Sequence, residues 1–120
     1  QDTYEQFLVK KDVQFIEKIH QVIEENLDNS DFNIDTIAST IGLSRSAFFK
    51  KLKSLTGFAP VDLVKEIRLN KSIELIKNSD MSISEIAFAV GFKDSGYFSK
   101  CFRKKYDQTP REYMNEWRKG

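Results

Sequence analysis

Apolar residues in this chain recur three and four positions apart and sustain no single alternation, so the pattern predicts helices and no strand. Val13, Ile16, Ile19, Ile23 and Leu27 mark an amphipathic first helix from about Asp12 to Leu27, stopped by the polar run Asp28-Asn29-Ser30-Asp31. Residues 1–11 ahead of it read as a tether, with Tyr4, Phe7 and Leu8 available for packing. Asn33 caps a second helix over Ile34–Ile41, and Gly42 ends it in the left-handed conformation. Ser44 caps a third, roughly Arg45 to Thr56, with Gly57 at its end. Pro60 suits the first turn of a fourth, running to about Lys77. Its Leu63, Val64, Ile67, Leu69, Ile73, Leu75 and Ile76 cover more than one face, as expected of a helix wedged between two packed bodies. After Asn78-Ser79-Asp80, Ser82 and Glu85 form a capping box for a fifth helix reaching Val90. Gly91 follows it, and a sixth helix spans about Ser95 to Tyr106. Thr109, Pro110 and Glu112 open a seventh, where Tyr113 and Trp117 are spaced to pack on the sixth. The expected fold is all-α, with seven helices.

The helical pattern occurs twice. Ile34-Asp35-Thr36-Ile37-Ala38 leads to Ile41-Gly42-Leu43, and Ile83-Ser84-Glu85-Ile86-Ala87 leads to Val90-Gly91-Phe92. Each continues through a polar turn into an aromatic and basic stretch, Phe48-Phe49-Lys50-Lys51-Leu52 or Tyr97-Phe98-Ser99-Lys100-Cys101-Phe102. Each ends before a proline, Pro60 or Pro110. The offset is 49 up to the turn glycine and 50 beyond it, so the second turn is one residue longer. Helix, tight turn, basic helix is the layout of a helix-turn-helix, here in two lobes joined by a long linker helix. The first lobe spans about 12–57, the linker 60–77 and the second lobe 82–118, within a domain of 12–120.

In the third helix Phe48, Leu52 and Leu55 form the stripe facing the core, against Ile37, Ala38 and Ile41. The opposite face shows Arg45, Ser46, Phe49, Lys50 and Lys53, with no acidic residue. In the sixth helix Phe98 and Phe102 face inward, and Lys93, Ser95, Gly96, Ser99, Lys100 and Arg103 form the open set. A basic helix presented by a tight turn is suited to a DNA major groove. At about 1.5 Å per residue the linker spans roughly 27 Å, near the ~34 Å between successive major-groove faces. Because the two basic helices differ, the matching site is expected to be asymmetric.

The net charge of +1 hides a split. Residues 1–35 hold three lysines against nine acidic residues, a net of −6, and residues 36–120 hold sixteen basic against nine acidic, a net of +7. That distribution fits a basic binding body with an acidic attachment. No apolar run approaches the roughly 20 residues of a membrane helix, so no membrane contact is expected, and a cytoplasmic setting is the simplest expectation. A single Cys and a single His rule out a disulfide framework and a dense metal cluster, and neither a metal nor a cofactor is expected. No phosphate-cradling glycine loop and no partner motif for His20 appear, which argues against an enzyme. His20 is expected as a partly buried packing residue, and Cys101 as a small packing residue of the sixth helix. A helical module that binds acidic protein is the competing reading of the basic faces. Opening on Gln1, the chain is expected to be a piece of something longer.

These motifs resemble the DNA-binding domain of the AraC/XylS family of bacterial transcription regulators. The resemblance runs over about 12–118. It rests on Ile83, Ile86-Ala87, Val90-Gly91-Phe92, Tyr97-Phe98-Ser99-Lys100, Phe102-Arg103, Thr109-Pro110 and Tyr113 in the second half. In the first half it rests on Ile37-Ala38, Gly42 to Ser46, Leu52-Lys53, Leu55-Thr56-Gly57 and Pro60, with Ile67-Arg68-Leu69 in the linker. Asp107 in place of the usual Gly and Met114 in place of a common Arg depart from the pattern. The resemblance implies a transcription factor, often an activator, that binds double-stranded DNA near a promoter and touches RNA polymerase. It implies base readers at Ser46, Phe49, Lys50, Ser95, Gly96, Ser99 and Lys100, and phosphate or mixed contacts at Arg45, Lys53 and Arg103. Phe49 would either press on a thymine methyl or help pack the lobe, and Arg68 would be scaffold. In such regulators the rest of the protein is a sensor or receiver domain, including hybrid two-component sensors that carry a histidine kinase and a membrane anchor.

Overall fold

The computed structural model describes residues 3–118. They form seven helices: α1 Tyr4–Glu25, α2 Ile34–Ile41, α3 Arg45–Thr56, α4 Pro60–Asn78, α5 Ile83–Ala89, α6 Ser95–Tyr106 and α7 Pro110–Trp117. The fold is all-α, two helix-turn-helix lobes connected through α4.

The helix ends follow the local chemistry. Asn33, Ser44, Ser82 and Thr109 each accept a bond from a backbone N–H in the first turn of the helix they precede. Glu85 and Glu112 close the reciprocal capping boxes. Those bonds, from Ser82 and Thr109 respectively, hold both carboxyls below the usual carboxylate range. Gly42, Gly57 and Asp107 end their helices in the left-handed region. Asp107 therefore does the work of the usual glycine, at φ 60°.

Two expectations for α1 are corrected. The helix begins at Tyr4 rather than near Asp12, so the segment expected as a tether is helical from Tyr4 through Lys11, and Gln1 and Asp2 lie outside the described residues. The cause is a capping box: Thr3 Oγ1 accepts from the Gln6 N–H at 3.2 Å and Gln6 Oε1 accepts from the Thr3 N–H at 2.8 Å. The buried stripe is also rotated. Phe15, Ile19, Val22 and Ile23 face inward, while Val13 is exposed and Ile16 half-buried. His20 consequently sits on the exposed side, with Nδ1 3.8 Å from Glu24, and is not a buried packing residue.

The chain forms two compact units. One comprises residues up to Asn26 with Phe32–Val64, and the other Leu27–Asp31 with everything from Lys65 on. The first unit buries the α1 stripe with Ile37 and Ala38 of α2, Phe48 and Leu52 of α3, and Leu63. The rings of Phe15 and Phe48 meet edge-on at 6.4 Å. Leu55, expected in this stripe, is exposed, because the core side of α3 is filled by Phe48 and Leu52.

The second unit is built on aromatic contacts. Phe92 packs on Phe98, Phe98 on Phe102, and Phe102 on both Tyr106 and Tyr113. Trp117 stacks on Tyr113 from the exposed side. From α4 this unit buries Ile67, Arg68, Leu69, Ser72 and Ile76. Arg68 is only 8% exposed and faces no carboxylate. Its guanidinium donates instead to the carbonyl oxygens of Gly91 and Asn29, which makes it the scaffold residue expected. Burial lowers its pKa from the usual arginine value. At the far end of α6, Lys105 donates to Glu66 and to Asn70, and the Tyr106 hydroxyl donates to Asn70 at 3.0 Å. Burial, with Glu66 and Tyr113 adding to it, pushes the Tyr106 phenol up to about 12.

Candidate nucleic-acid interface

The sequence repeat is also a repeat of backbone bonds. The Leu43 N–H donates to Ala38 at 3.0 Å, and the Phe92 N–H to Ala87 at 2.9 Å. Beyond each turn, the Phe48 N–H donates to Ser44 and the Phe98 N–H to Asp94. At the helix ends Gly57 bonds Lys53 and Asp107 bonds Arg103, both at 2.8 Å. Ala38 and Ala87 are buried at equivalent places in the two lobes. The same local geometry thus presents α3 and α6.

On α3 the structure leaves Arg45, Ser46, Phe49, Lys50 and Lys53 exposed, while Phe48 and Leu52 are fully buried. Lys51 lies off this face by its place in the helix, its Nζ 4.3 Å from the Phe15 ring centroid. Arg45 lies 3.3 Å from Asp35 of α2. On α6, Gly96, Lys100 and Arg103 are exposed, whereas Ser95 and Ser99 are half-buried. Lys93, just ahead of α6, lies 3.1 Å from Asp31. Both ion pairs are solvent-exposed and therefore weak, so a phosphate can replace either carboxylate at little cost. Neither α3 nor α6 contains an acidic residue.

Two details were missed in the sequence. Asp94 is the cap of α6, accepting from the Gly96 N–H at 2.9 Å, a signal readable from its place just before Ser95. A side chain at position 96 would crowd that carboxylate, which gives Gly96 a local reason besides close approach to a ligand. Asp31 and Asp35 carried no signal, since nothing local in the sequence shows which cation each will meet. Cys101 is half-buried, in keeping with a packing role. Among the described residues no group of three or more His, Cys, Asp or Glu side chains is placed to hold a metal ion. Among them, too, no helix is long and apolar enough to cross a membrane.

A family model described as a helix-turn-helix domain matches residues 37–116, from the buried face of α2 to the end of α7. This chain belongs to the AraC-type helix-turn-helix family. It is a DNA-binding transcription-regulator domain of that family. The chain is similar to a histidine kinase, P4, of Formosa agariphila, 38% identical over 106 residues. Those residues cover 88% of this chain but only 8% of the kinase. Among solved structures, the DNA-binding domain of AdpA, a global transcriptional factor in complex with a target DNA, superposes with a TM-score of 0.79 at 28% identity. That similarity covers 88% of this chain and 93% of AdpA's. The C-terminal domain of AraT, a response regulator from Geobacillus stearothermophilus, gives 0.77 at 26% identity, covering 85% and 84%.

Proposed function

We propose that this AraC-type domain places α3 and α6 in successive major grooves of one asymmetric promoter site and thereby activates transcription. The observation that carries the reading is the doubled presentation: matching backbone bonds around both turns, each followed by a basic helix without an acidic residue. Ser46, Phe49 and Lys50 from α3, and Ser95, Gly96, Ser99 and Lys100 from α6, are the base-facing residues. Arg45, Lys53 and Arg103 neutralise phosphates. The length of α4, 19 residues or roughly 28 Å of rise, suits two readers about one helical turn of DNA apart. RNA polymerase is the second partner.

In the whole protein this domain serves as the output end of a two-component regulator, behind a receiver or histidine-kinase sensor that can be membrane-anchored. The kinase from Formosa and the response regulator from Geobacillus support that placement.

The test is selection of bound sequences from a random duplex library at about 150 mM salt, followed by a salt titration. Two short, unlike blocks one helical turn apart are expected, with a slope of log K on log salt of about −5 to −7 for six to eight phosphates. Binding without sequence preference would overturn the reading and leave the basic faces to an acidic protein partner.

A further inference from the structure

Phe49 stands out on the exposed face of α3. Its four companions there, Arg45, Ser46, Lys50 and Lys53, are polar or charged, yet this phenylalanine is 46% exposed. The core does not require it, because Phe48 and Leu52 already fill the inner side of the helix. Leaving such a ring in water forgoes much of the ~1.5–3 kcal/mol its full burial would bring. At the equivalent place in the second lobe, 50 positions on, stands the small polar Ser99.

Phe49 and Arg45 line one shallow, largely apolar depression with Ile34, Ala59, Pro60 and Val61, all within the same unit. An aromatic side chain has only two rotatable bonds, so it loses little freedom when its open side meets a partner. Arg45 one turn before it and Lys53 one turn after it bracket the ring with positive charge, which suits a polyanion better than an apolar protein surface.

The major groove offers such a ring one apolar group among the four bases, the 5-methyl of thymine. We propose that Phe49 reads a thymine methyl in the half-site bound by α3, and that the half-site bound by α6 has no counterpart to this contact. The proposal rests on the DNA-reading function above and names one base within it.

The test uses the selected duplex with each thymine replaced singly by uracil, which removes only the methyl group. Binding is measured by fluorescence anisotropy for the wild type, Phe49→Ala and Phe49→Leu, with circular dichroism to show that the variants fold. One replacement in the α3 block is expected to weaken the wild type about fourfold, the equivalent of one buried methyl group. The same replacement should change Phe49→Ala by less than about twofold, with Phe49→Leu between the two. If every thymine of that block tolerates uracil while the sequence preference persists, the proposal fails and the DNA-reading function stands. An undiminished uracil penalty in Phe49→Ala would also overturn it, because the methyl would then be read by another residue. Failure to select any sequence would remove both readings together.

Discussion

The two lobes share a backbone plan but hold their recognition helices by different means. In the first lobe the turn glycine, Gly42, has open space around it, and only its positive φ requires glycine. In the second, Gly91 also has a positive φ, and a Cβ there would collide with the Arg68 guanidinium and the Leu27 carbonyl. The first lobe relies on a small aliphatic and aromatic core and places Arg45 in a loose surface pair with Asp35. The second binds its turn through Arg68 and the end of α6 through Lys105, and packs a run of aromatic rings beneath. The exposed faces differ in the opposite sense. α3 extends Arg45 and Phe49, where α6 has Ser95 and Ser99. The braced lobe carries the smaller side chains, and the less braced lobe carries the longer ones. A repeat thus conserves the path of the backbone while the bracing and the exposed side chains diverge.

The largest contrast between the lobes is expected from the matched pair Gly91→Ala and Gly42→Ala. Gly91→Ala combines backbone strain with displacement of Arg68 and is expected to cost about 3 kcal/mol or more. Gly42→Ala meets only the strain, about 1–2 kcal/mol. Urea unfolding followed by amide exchange in each unit separates them; equal costs would mean that the close approach at Gly91 carries no energy.

Next in size is Arg68→Met, which keeps the apolar stem and leaves the Gly91 and Asn29 carbonyls without their donor. A loss of about 2–3 kcal/mol is expected, with amide protection falling around residues 86–98 and little change in α2 and α3. A uniform loss over both units would show that the brace is not local to the second lobe.

Function sharpens the comparison further. Lys50→Ala and Lys100→Ala occupy equivalent places in the repeat, and each should weaken specific binding by about 1–3 kcal/mol while sparing random duplex. Lys53→Ala should weaken all sequences alike and reduce the salt slope by about 1. If Lys50→Ala costs as much on random DNA, it contacts phosphate and not a base.

The smallest effect is on acid stability. Glu85 and Glu112 of the second lobe have pKa values lowered by the bonds they exchange with Ser82 and Thr109. A carboxylate with a depressed folded-state pKa stabilises fully above its unfolded value, about 4.5 here, and that contribution disappears as pH falls through the folded value. The caps of α2 and α3, Asn33 and Ser44, do not titrate. As pH falls below about 4.5, amide protection relative to the intrinsic exchange rate should therefore be lost at the starts of α5 and α7 before it is at those of α2 and α3. The variants Glu85→Gln and Glu112→Gln should remove the difference.

Much of this was legible in the chain. The twofold repeat, the caps Asn33, Ser44, Ser82 and Thr109, and the left-handed stops at Gly42, Gly57 and Asp107 depend on residues within a few positions of one another. Even the early start of α1 had a local signal in Thr3 and Gln6, hidden because the apolar residues behind it follow no clear period. The stripe on α1 was harder. Val13 and Ile16 compete at helical spacing with Phe15 and Val22, and only packing in the first unit selects the second pair.

That the chain is helical, that it repeats a helix-turn-helix, and where most helices begin and end all follow from local pattern. Hydrogen bonds within one turn and the helical period act over a few residues, so their signals lie side by side in the chain. Only folding brings Arg68 to Gly91 and Asn29, Lys105 to Glu66 and Asn70, and Lys51 to the Phe15 ring. It also decided that Phe49 would remain half in water beside Arg45. Those outcomes depend on which groups folding brings together from far along the chain, and no local pattern encodes that distance.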